Sequence, residues 1–179
     1  MTRIIAGVAR GRRLAAPRGL GTRPTSEKVR AAVFNLLGQF FEGGVVLDLY
    51  AGTGALALEA LSRGCERAVC VEGDRKAAEV LRQNAETCGF GDRVVVMDTA
   101  VDRALGRLPA DGFDLVFIDP PYAAGPEGAL TVVGALIRAG GRVVAEHSFR
   151  APPGDRFGPL QLADRRSYGD TGVSIYVRG

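Results

Sequence analysis

The sequence predicts an α/β fold, a doubly wound and mostly parallel sheet with helices on both faces, and three observations carry that expectation. The apolar run Val45-Val46-Leu47-Asp48-Leu49 reads as a buried strand, ends in the turn Gly52-Thr53-Gly54, and passes straight into an alanine- and leucine-rich helix over 55–63. Strand-like and helical periodicities then alternate along the chain, the order that builds βαβ units. Last, the alternating segments 160–168 and 173–177 flank Gly169-Asp170-Thr171-Gly172 and read as an antiparallel hairpin closing one edge.

The totals bound the rest. A chain of 179 residues with 46% hydrophobic content and no low-complexity tract is long enough for one well-packed domain with a small extension. No run of about eighteen apolar residues occurs and the chain starts with Arg3 rather than a hydrophobic signal region, so a cytoplasmic protein without a membrane partner is expected. Cys65, Cys70 and Cys88 form no C-x-x-C pair and fall among helix and strand signals, which favours packed, reduced thiols. With His147 the single histidine, no metal site is expected.

Taken in order, residues 3–14 alternate around Ile4, Ile5 and Val8 with Gly7 and Gly11 as turn points, predicting a short hairpin with arginines at its tip. Pro17, Gly19, Gly21 and Pro24 break regular structure. A helix follows over 25–37, with Val29, Val33, Leu36 and Leu37 on one face, Thr25 or Ser26 as N-cap, and Gly43-Gly44 closing it. This segment carries most of the positive charge. Residues 1–30 sum to +7 and the other 149 to −4, within a net +3. A polyanion is the natural partner of such a segment, because each phosphate contact releases condensed counterions. We therefore expect residues 1–42 to be a nucleic-acid-binding extension, with Arg10, Arg12, Arg13, Arg23, Lys28 and Arg30 as its phosphate contacts, and residues 43–179 to be the catalytic domain.

The glycine turn at 52–54 admits a ligand close to the backbone. Gly52, Gly54 and Ala57 also match the spacing of a dinucleotide site, where a helix N-terminus meets a pyrophosphate. Asp48 decides against that reading, since an anion inside the strand repels a pyrophosphate and favours a cation. S-adenosylmethionine carries an ammonium and a sulfonium, and D-x-x-x-G-x-G after a strand resembles the first motif of class I methyltransferases. Asp48, Tyr50, Ala51, Gly52, Thr53 and Gly54 are thus the expected cofactor turn.

A second strand over 67–72 ends in Glu72, placed to accept hydrogen bonds from ribose hydroxyls. A helix over 75–88 stops at Gly89. The third strand, 93–98, ends in Asp98, which either accepts from the adenine amine or caps a helix over 101–108. The fourth apolar strand runs from Phe113 into Asp119-Pro120-Pro121-Tyr122. Two prolines remove two N–H donors and fix two φ angles, leaving a rigid row of acceptors suited to an exocyclic amine. Asp119 and the Pro120 carbonyl would orient that amine and Tyr122 would stack on the base. A helix over 127–138 and a strand over 140–147 follow, and His147 reads as a structural or substrate-edge residue more than as a general base.

With these motifs in hand, the chain resembles the bacterial 16S rRNA (guanine-N2)-methyltransferase family, RsmD, along nearly its whole length. The resemblance lies in Arg3-Ile4-Ile5-Ala6-Gly7, Arg10-Gly11-Arg12, Thr22-Arg23-Pro24-Thr25, Val29-Arg30, Phe34-Asn35, Asp48 to Gly54, Asp119 to Tyr122, Glu146-His147-Ser148 and Tyr168 to Thr171. Tyr50, Thr53 and Tyr122 stand where relatives often have Phe, Ser and Phe, swaps that keep ring and hydroxyl chemistry. The resemblance implies a class I fold of seven strands with an antiparallel edge hairpin. It implies S-adenosylmethionine as donor, S-adenosylhomocysteine as product, and one guanine amine of 16S rRNA as acceptor. It also implies the small subunit, or an assembly intermediate, as substrate. From the residues alone, guanine against adenine and RNA against DNA stay open. A DNA adenine-N6 methyltransferase is the nearest rival, though no separate target-recognition domain is visible, and a non-catalytic RNA-binding assembly factor is the other. Nothing in the chain demands more than a monomer.

Overall fold

The computed structural model describes residues 1–19 and 26–179, so Arg23 and Thr25 lie outside the described residues. In chain order the elements are β1 (Thr2–Arg3), β2 (Arg13–Leu14), α1 (Glu27–Leu37), β3 (Val45–Asp48), α2 (Ala55–Ser62), β4 (Arg67–Glu72), α3 (Arg75–Thr87), β5 (Val94–Asp98) and α4 (Val101–Leu105). They continue with β6 (Phe113–Ile118), α5 (Glu127–Val133), β7 (Ile137–Ser148), β8 (Arg156–Phe157), β9 (Leu160–Tyr168) and β10 (Thr171–Arg178). The main sheet runs β5-β4-β3-β6-β7-β10-β9-β8. Its first five strands pair in parallel, and β10, β9 and β8 add antiparallel. The expected seven strands are present, and the two-residue β8 makes an eighth at the edge.

Strand alternation sends side chains to two cores. Val46, Phe117, Val144 and Val173 face one layer, formed by α1, α2 and α3, while Leu47, Val116, Val143 and Tyr176 face the other, formed by α4 and α5. Phe34 of α1, fully buried, packs its ring 5.8 Å from that of Phe117. The extension joins the first core through Ile4, Ala9 and Leu14.

Several expected boundaries move, each for a local reason. Helix α1 closes at Gly38, not at Gly43-Gly44, because Gly38 takes φ +100° and turns its N–H back to the carbonyls of Phe34 and Asn35. Ser26 supplies the N-cap, accepting from Val29 N–H. Helix α4 ends at Leu105 rather than 108 and α3 one residue early at Thr87. The largest difference is at α5, which stops at Val133 instead of running to 138. Ile137 already pairs with Phe113, and the strand passes through Gly140, at φ +77°, where the register with β6 shifts. A glycine bulge inside a long strand looks like a helix-to-strand loop when read locally.

Arg30 corrects the expected basic surface. Its side chain is fully buried on α1 and makes a hydrogen bond to the Arg3 carbonyl, so it supports the extension from below instead of meeting phosphate. Burial pushes its pKa down and Glu59 opposes that shift. Glu59, also fully buried, accepts from the backbone N–H groups of Ile5 (2.9 Å) and Ala6 (3.0 Å) and from Arg63 Nε (2.8 Å), with Arg30 Nε 3.6 Å away. One helical turn on, Ser62 accepts from Ala9 N–H through its hydroxyl and from Val8 N–H through its carbonyl. Gly7 makes the approach possible: at φ +86°, a Cβ there would lie 1.8 Å from the Ser62 carbonyl oxygen.

Removing the carboxylate from this buried cluster leaves two arginines without their counter-charge. Glu59→Ala should destabilise the fold by about 3–5 kcal/mol, read as the shift in urea-unfolding free energy. A loss below about 1 kcal/mol would show that solvent reaches the site.

Candidate active site

Parallel sheets bind ligands outside the carboxyl ends of their strands, where the order reverses direction. Here that point lies between β3 and β6, and a cleft of about 1290 Å³ opens there. Asp48, Gly52, Glu72, Asp119 and Tyr122 all line it. The sequence-predicted Tyr50 to Thr53, Glu72, and Asp119 to Tyr122 are thus brought to one cavity by three different strands.

The turn is built for close approach. Gly52 takes φ +55° and Gly54 φ +89°, and a Cβ on Gly54 would meet the Leu81 and Leu58 side chains at 3.0–3.2 Å. Gly54 also begins α2, its carbonyl accepting from Leu58 N–H. Glu72 holds the turn from the neighbouring strand: one carboxylate oxygen accepts from Gly52 N–H (2.7 Å), the other from Asp74 N–H (2.8 Å). Each oxygen keeps a further lone pair for a hydroxyl donor. Asp98 is opposite Glu72 in the β4–β5 register but is exposed and does not line the cleft.

Asp48 dominates the electrostatics. It is 1% exposed, and its Oδ1 has no hydrogen-bond partner among the described residues. Burial first, and then the Asp119 carboxylate, push its pKa up to about 8, against the opposing pull of the Tyr50 and Ala57 backbone N–H groups. A cation in the cleft reverses that balance by pairing with the ionised carboxylate. A buried acceptor lacking a partner, beside a glycine cradle and a row of carboxylates, fits the ammonium and sulfonium of S-adenosylmethionine and repels a pyrophosphate. Tyr122 is 59% exposed at the mouth, where a flat ring is available for stacking.

Two positioning features were not read from the sequence. Asn84, buried on α3, donates to the carbonyls of Thr53 (2.9 Å) and Ala15 (3.0 Å) and accepts from Ala15 N–H (2.8 Å). It fastens the strap after β2, whose Ala15, Ala16 and Pro17 wall the cleft, directly to the cofactor turn. A polar residue on the otherwise apolar face of the 75–88 helix was the available signal. The second is the fixing of His147. Its Nδ1 lies 2.8 Å from the Ser148 carbonyl and its Nε2 2.8 Å from Ser174 Oγ, which also accepts from Arg165 Nε. Burial lowers its pKa, and both ring nitrogens are engaged, which suits a structural residue. Gly172 leaves room for the ring, since a Cβ there would lie 2.2 Å from His147 Cε1. The three cysteines are buried, and burial raises each thiol pKa, that of Cys65 to about 12. Among the described residues no group of three or more His, Cys, Asp or Glu could hold a metal ion, and no helix is long and apolar enough to cross a membrane.

The basic residues Arg10, Arg12, Arg13 and Lys28 are exposed on the extension, and Lys28 lines the cleft.

The Asp48 shift gives a pH test. Unfolded, Asp48 ionises near 4; folded, near 8. Between those values the folded protein binds the extra proton, so stability falls as pH rises from about 4 to about 8 and levels off above. Asp48→Asn should therefore raise the melting temperature at pH 8 while weakening S-adenosylmethionine binding. Wild-type affinity for that cation should climb with pH, approaching tenfold per unit well below pH 8. Calorimetric titration across pH 6–8 checks both, and a flat affinity profile would remove Asp48 from the site.

The family comparisons agree with this geometry. The profile of the family described as "Conserved hypothetical protein 95" matches residues 2–177. A Bacillus subtilis (strain 168) protein, YlbH, named as a candidate rRNA methyltransferase, is 37% identical over 98% of both chains. The Ribosomal RNA small subunit methyltransferase D of Escherichia coli (strain K12) is 39% identical over 69% of this chain, and the match spans 61% of that protein. Among solved structures, the candidate methyltransferase yhhF of Escherichia coli superposes with a TM-score of 0.85 at 30% identity, covering 99% of this chain and 97% of that one. An RNA methyltransferase from Salinibacter ruber, in complex with S-adenosyl-L-homocysteine, shares the fold at TM-score 0.66 and 19% identity, over 87% of this chain and 94% of that one. With a class I methyltransferase fold and a family match over almost its full length, the chain belongs to the Conserved hypothetical protein 95 family, the RsmD family of rRNA methyltransferases.

Proposed function

We propose that the chain methylates the exocyclic N2 amine of one guanine in 16S rRNA, using S-adenosylmethionine, on the small subunit or an assembly intermediate. The observation that carries this reading is the convergence of the Asp48 to Gly54 turn and the Asp119 to Tyr122 row on a single cleft beside an arginine-rich extension. Family membership supports rRNA as the substrate class. In this reading the chain works as a monomer in the cytoplasm. Residues 1–42 are the RNA-binding part and residues 43–179 the catalytic part. Arg10, Arg12, Arg13 and Lys28, with Arg23 beyond the described residues, contact phosphates.

Asp48, Gly52, Gly54 and Glu72 would hold the cofactor, with Tyr50, Ala51 and Thr53 completing the turn. Asp98, exposed one strand further out, would meet only the far edge of an adenine. Bound S-adenosylmethionine supplies a sulfonium methyl whose transfer to an amine breaks the S–C bond as the N–C bond forms, leaving S-adenosylhomocysteine. The target base is unstacked into the cleft. Asp119 and the Pro120 carbonyl then accept hydrogen bonds from the amine and turn its lone pair toward the methyl group. Pro120 and Pro121 keep that acceptor row rigid, and Tyr122 covers the base. Asp119 takes up the proton that the methylated nitrogen sheds and passes it to solvent.

The direct experiment is transfer of labelled methyl to unmodified small subunits, free 16S rRNA and duplex DNA, with nucleoside analysis of the products. N2-methylguanosine from subunits or rRNA is expected; N6-methyladenosine in DNA, or no transfer at all, would overturn the reading. Asp119→Ala should lower kcat by about 100-fold or more while cofactor affinity changes little. Arg10→Gln, Arg12→Gln and Arg13→Gln combined should weaken RNA binding and flatten its salt dependence, by up to about two units of log-log slope. An unchanged slope would place the RNA elsewhere.

A further inference from the structure

The turn that follows β7 stands on the rim of the cleft and carries side chains for which the transfer of a methyl group has no use. β7 lies beside β6 in parallel, so residues leaving its carboxyl end are the next neighbours of the Asp119 to Tyr122 row. Ser148 and Ala151 line the cleft, while Phe149 and Pro152 line a second, smaller groove of about 150 Å³. The turn is the wall between the two. Its backbone is fixed by three hydrogen bonds: Phe149 N–H donates to the Asp170 carbonyl (3.1 Å), Ala151 N–H to the Ser148 carbonyl (3.1 Å) and Arg150 N–H to Ser148 Oγ (3.3 Å). Held this way, Phe149 keeps its ring 42% exposed, and the Arg150 guanidinium stands 5.5 Å from the ring centroid.

A single exposed ring is ordinary on a protein surface. This one is ordered in a turn, faced by a guanidinium, and set beside a groove that Arg165 and Arg166 also line. Those two arginines differ from Arg150 in charge balance. Arg165 donates to Ser174 Oγ (2.9 Å), the Pro153 carbonyl (2.5 Å) and Asp155 (3.2 Å), and Arg166 pairs with Asp164 (3.0 Å). They are walls whose charge is compensated. Arg150 is exposed and pairs with no carboxylate among the described residues. His147, held through both ring nitrogens, and Gly172 complete the groove. A flat ring, a rigid groove and one uncompensated cation are the means by which proteins hold single-stranded nucleic acid, since bases stack on aromatic faces and guanidinium planes while the phosphate meets the charge.

Resting on the rRNA-methyltransferase reading above, we propose that Phe149 and Arg150 form a second RNA contact: the nucleotide next to the target stacks on Phe149, and Arg150 meets its phosphate. The contact is separate from that of the extension, whose Val8 and Ala9 are anchored on Ser62 at the end of α2 remote from the cofactor turn. An RNA chain with one base unstacked into the cleft has to cross the rim, and this turn is the rim beside the acceptor row. The stack on Phe149 replaces the neighbour that the flanking nucleotide loses when the target leaves, and so offsets part of the cost of unstacking.

The test measures binding of wild type and variants to unmodified small subunits and to free 16S rRNA, together with methyl transfer and S-adenosylmethionine affinity. Phe149→Ala should weaken RNA binding by about tenfold, within the range for the loss of one stacked base. Phe149→Tyr keeps a flat face and should stay within about twofold of wild type. Phe149→Leu keeps apolar bulk without that face and should behave like Phe149→Ala. Arg150→Gln should reduce the log-log salt slope by about 0.7, the share of one phosphate on a single strand. Cofactor affinity should hold in all four. Binding by Phe149→Leu as tight as that of wild type, or an unchanged salt slope in Arg150→Gln, would overturn the proposal and leave rRNA methylation standing. A loss on subunits with none on free rRNA would place a protein partner on the turn and overturn it too. Absence of methyl transfer by wild type to either substrate would instead overturn the reading on which the proposal rests.

Discussion

A fully buried carboxylate holds the N-terminal segment of this protein to its main sheet layer. Glu59 sits in the middle of an otherwise apolar helix, fully buried, and gathers two backbone N–H groups of the extension and two arginine side chains. A buried carboxylate this well supplied with donors is stable only in one arrangement, because each missing partner costs the desolvation of a charge. The extension is thereby locked to α2, whose other end is the cofactor turn. Asn84 repeats the device at a second point, joining Ala15 of the strap to Thr53 of the turn. The extension and the cleft are thus joined by buried hydrogen bonds at two points. In the proposed reaction a polyanion held by Arg10, Arg12 and Arg13 would be presented to the cleft by these contacts.

The cleft uses charge in the opposite way. Asp48 lies in a strand, buried and poorly compensated, and Asp119 beside it makes ionisation harder still. For folding alone this arrangement is unfavourable, and an uncharged residue would serve better at that place. Its value appears only when a cation arrives, since the ligand then recovers the energy that folding spent on holding the site ready. The same logic explains why acids stand at the carboxyl ends of β3, β4 and β6 while the exposed Arg10, Arg12 and Arg13 lie on the extension. In the proposed reaction, cofactor and base edge are cations or donors that would meet acceptors, whereas the RNA backbone is an anion that would meet guanidinium.

Which parts were legible in the sequence follows from how local the information is. Asp48, Gly52, Gly54, Glu72 and the Asp119 to Tyr122 row each declare themselves by position relative to a strand end, and parallel topology then brings strand ends together. β4 was read to the residue because an apolar run bounded by Gly64 and Gly73 has no other solution. Arg30 was misread for the converse reason. Its charge placed it with the other arginines, although it shares a helical face with Val33, Phe34 and Leu37, and only a carboxylate 29 residues away could have explained a cation there. Glu59 and Asn84 were invisible alone because their backbone partners Ile5, Ala6 and Ala15 lie 53 to 69 residues off in sequence. In retrospect the hint was composition: one Glu within Ala55–Ser62, where every other residue is small or apolar.

Strand order also divides the labour of the cleft. β3 is the point at which the sheet reverses direction, with β4 and β5 on one side and β6 and β7 on the other. In the proposed reaction Glu72 serves the sugar side and Asp119 the acceptor side, while Asp48 stands at the junction where the donor's charged end would lie. In the proposed reaction a base enters over β6, where Asp119 and the Pro120 carbonyl both accept its amine and align its nitrogen. Binding and alignment are then one event. A base that fails the hydrogen-bond pattern is also a base whose amine is turned away from the methyl group, which makes discrimination a property of the transition state and not only of affinity.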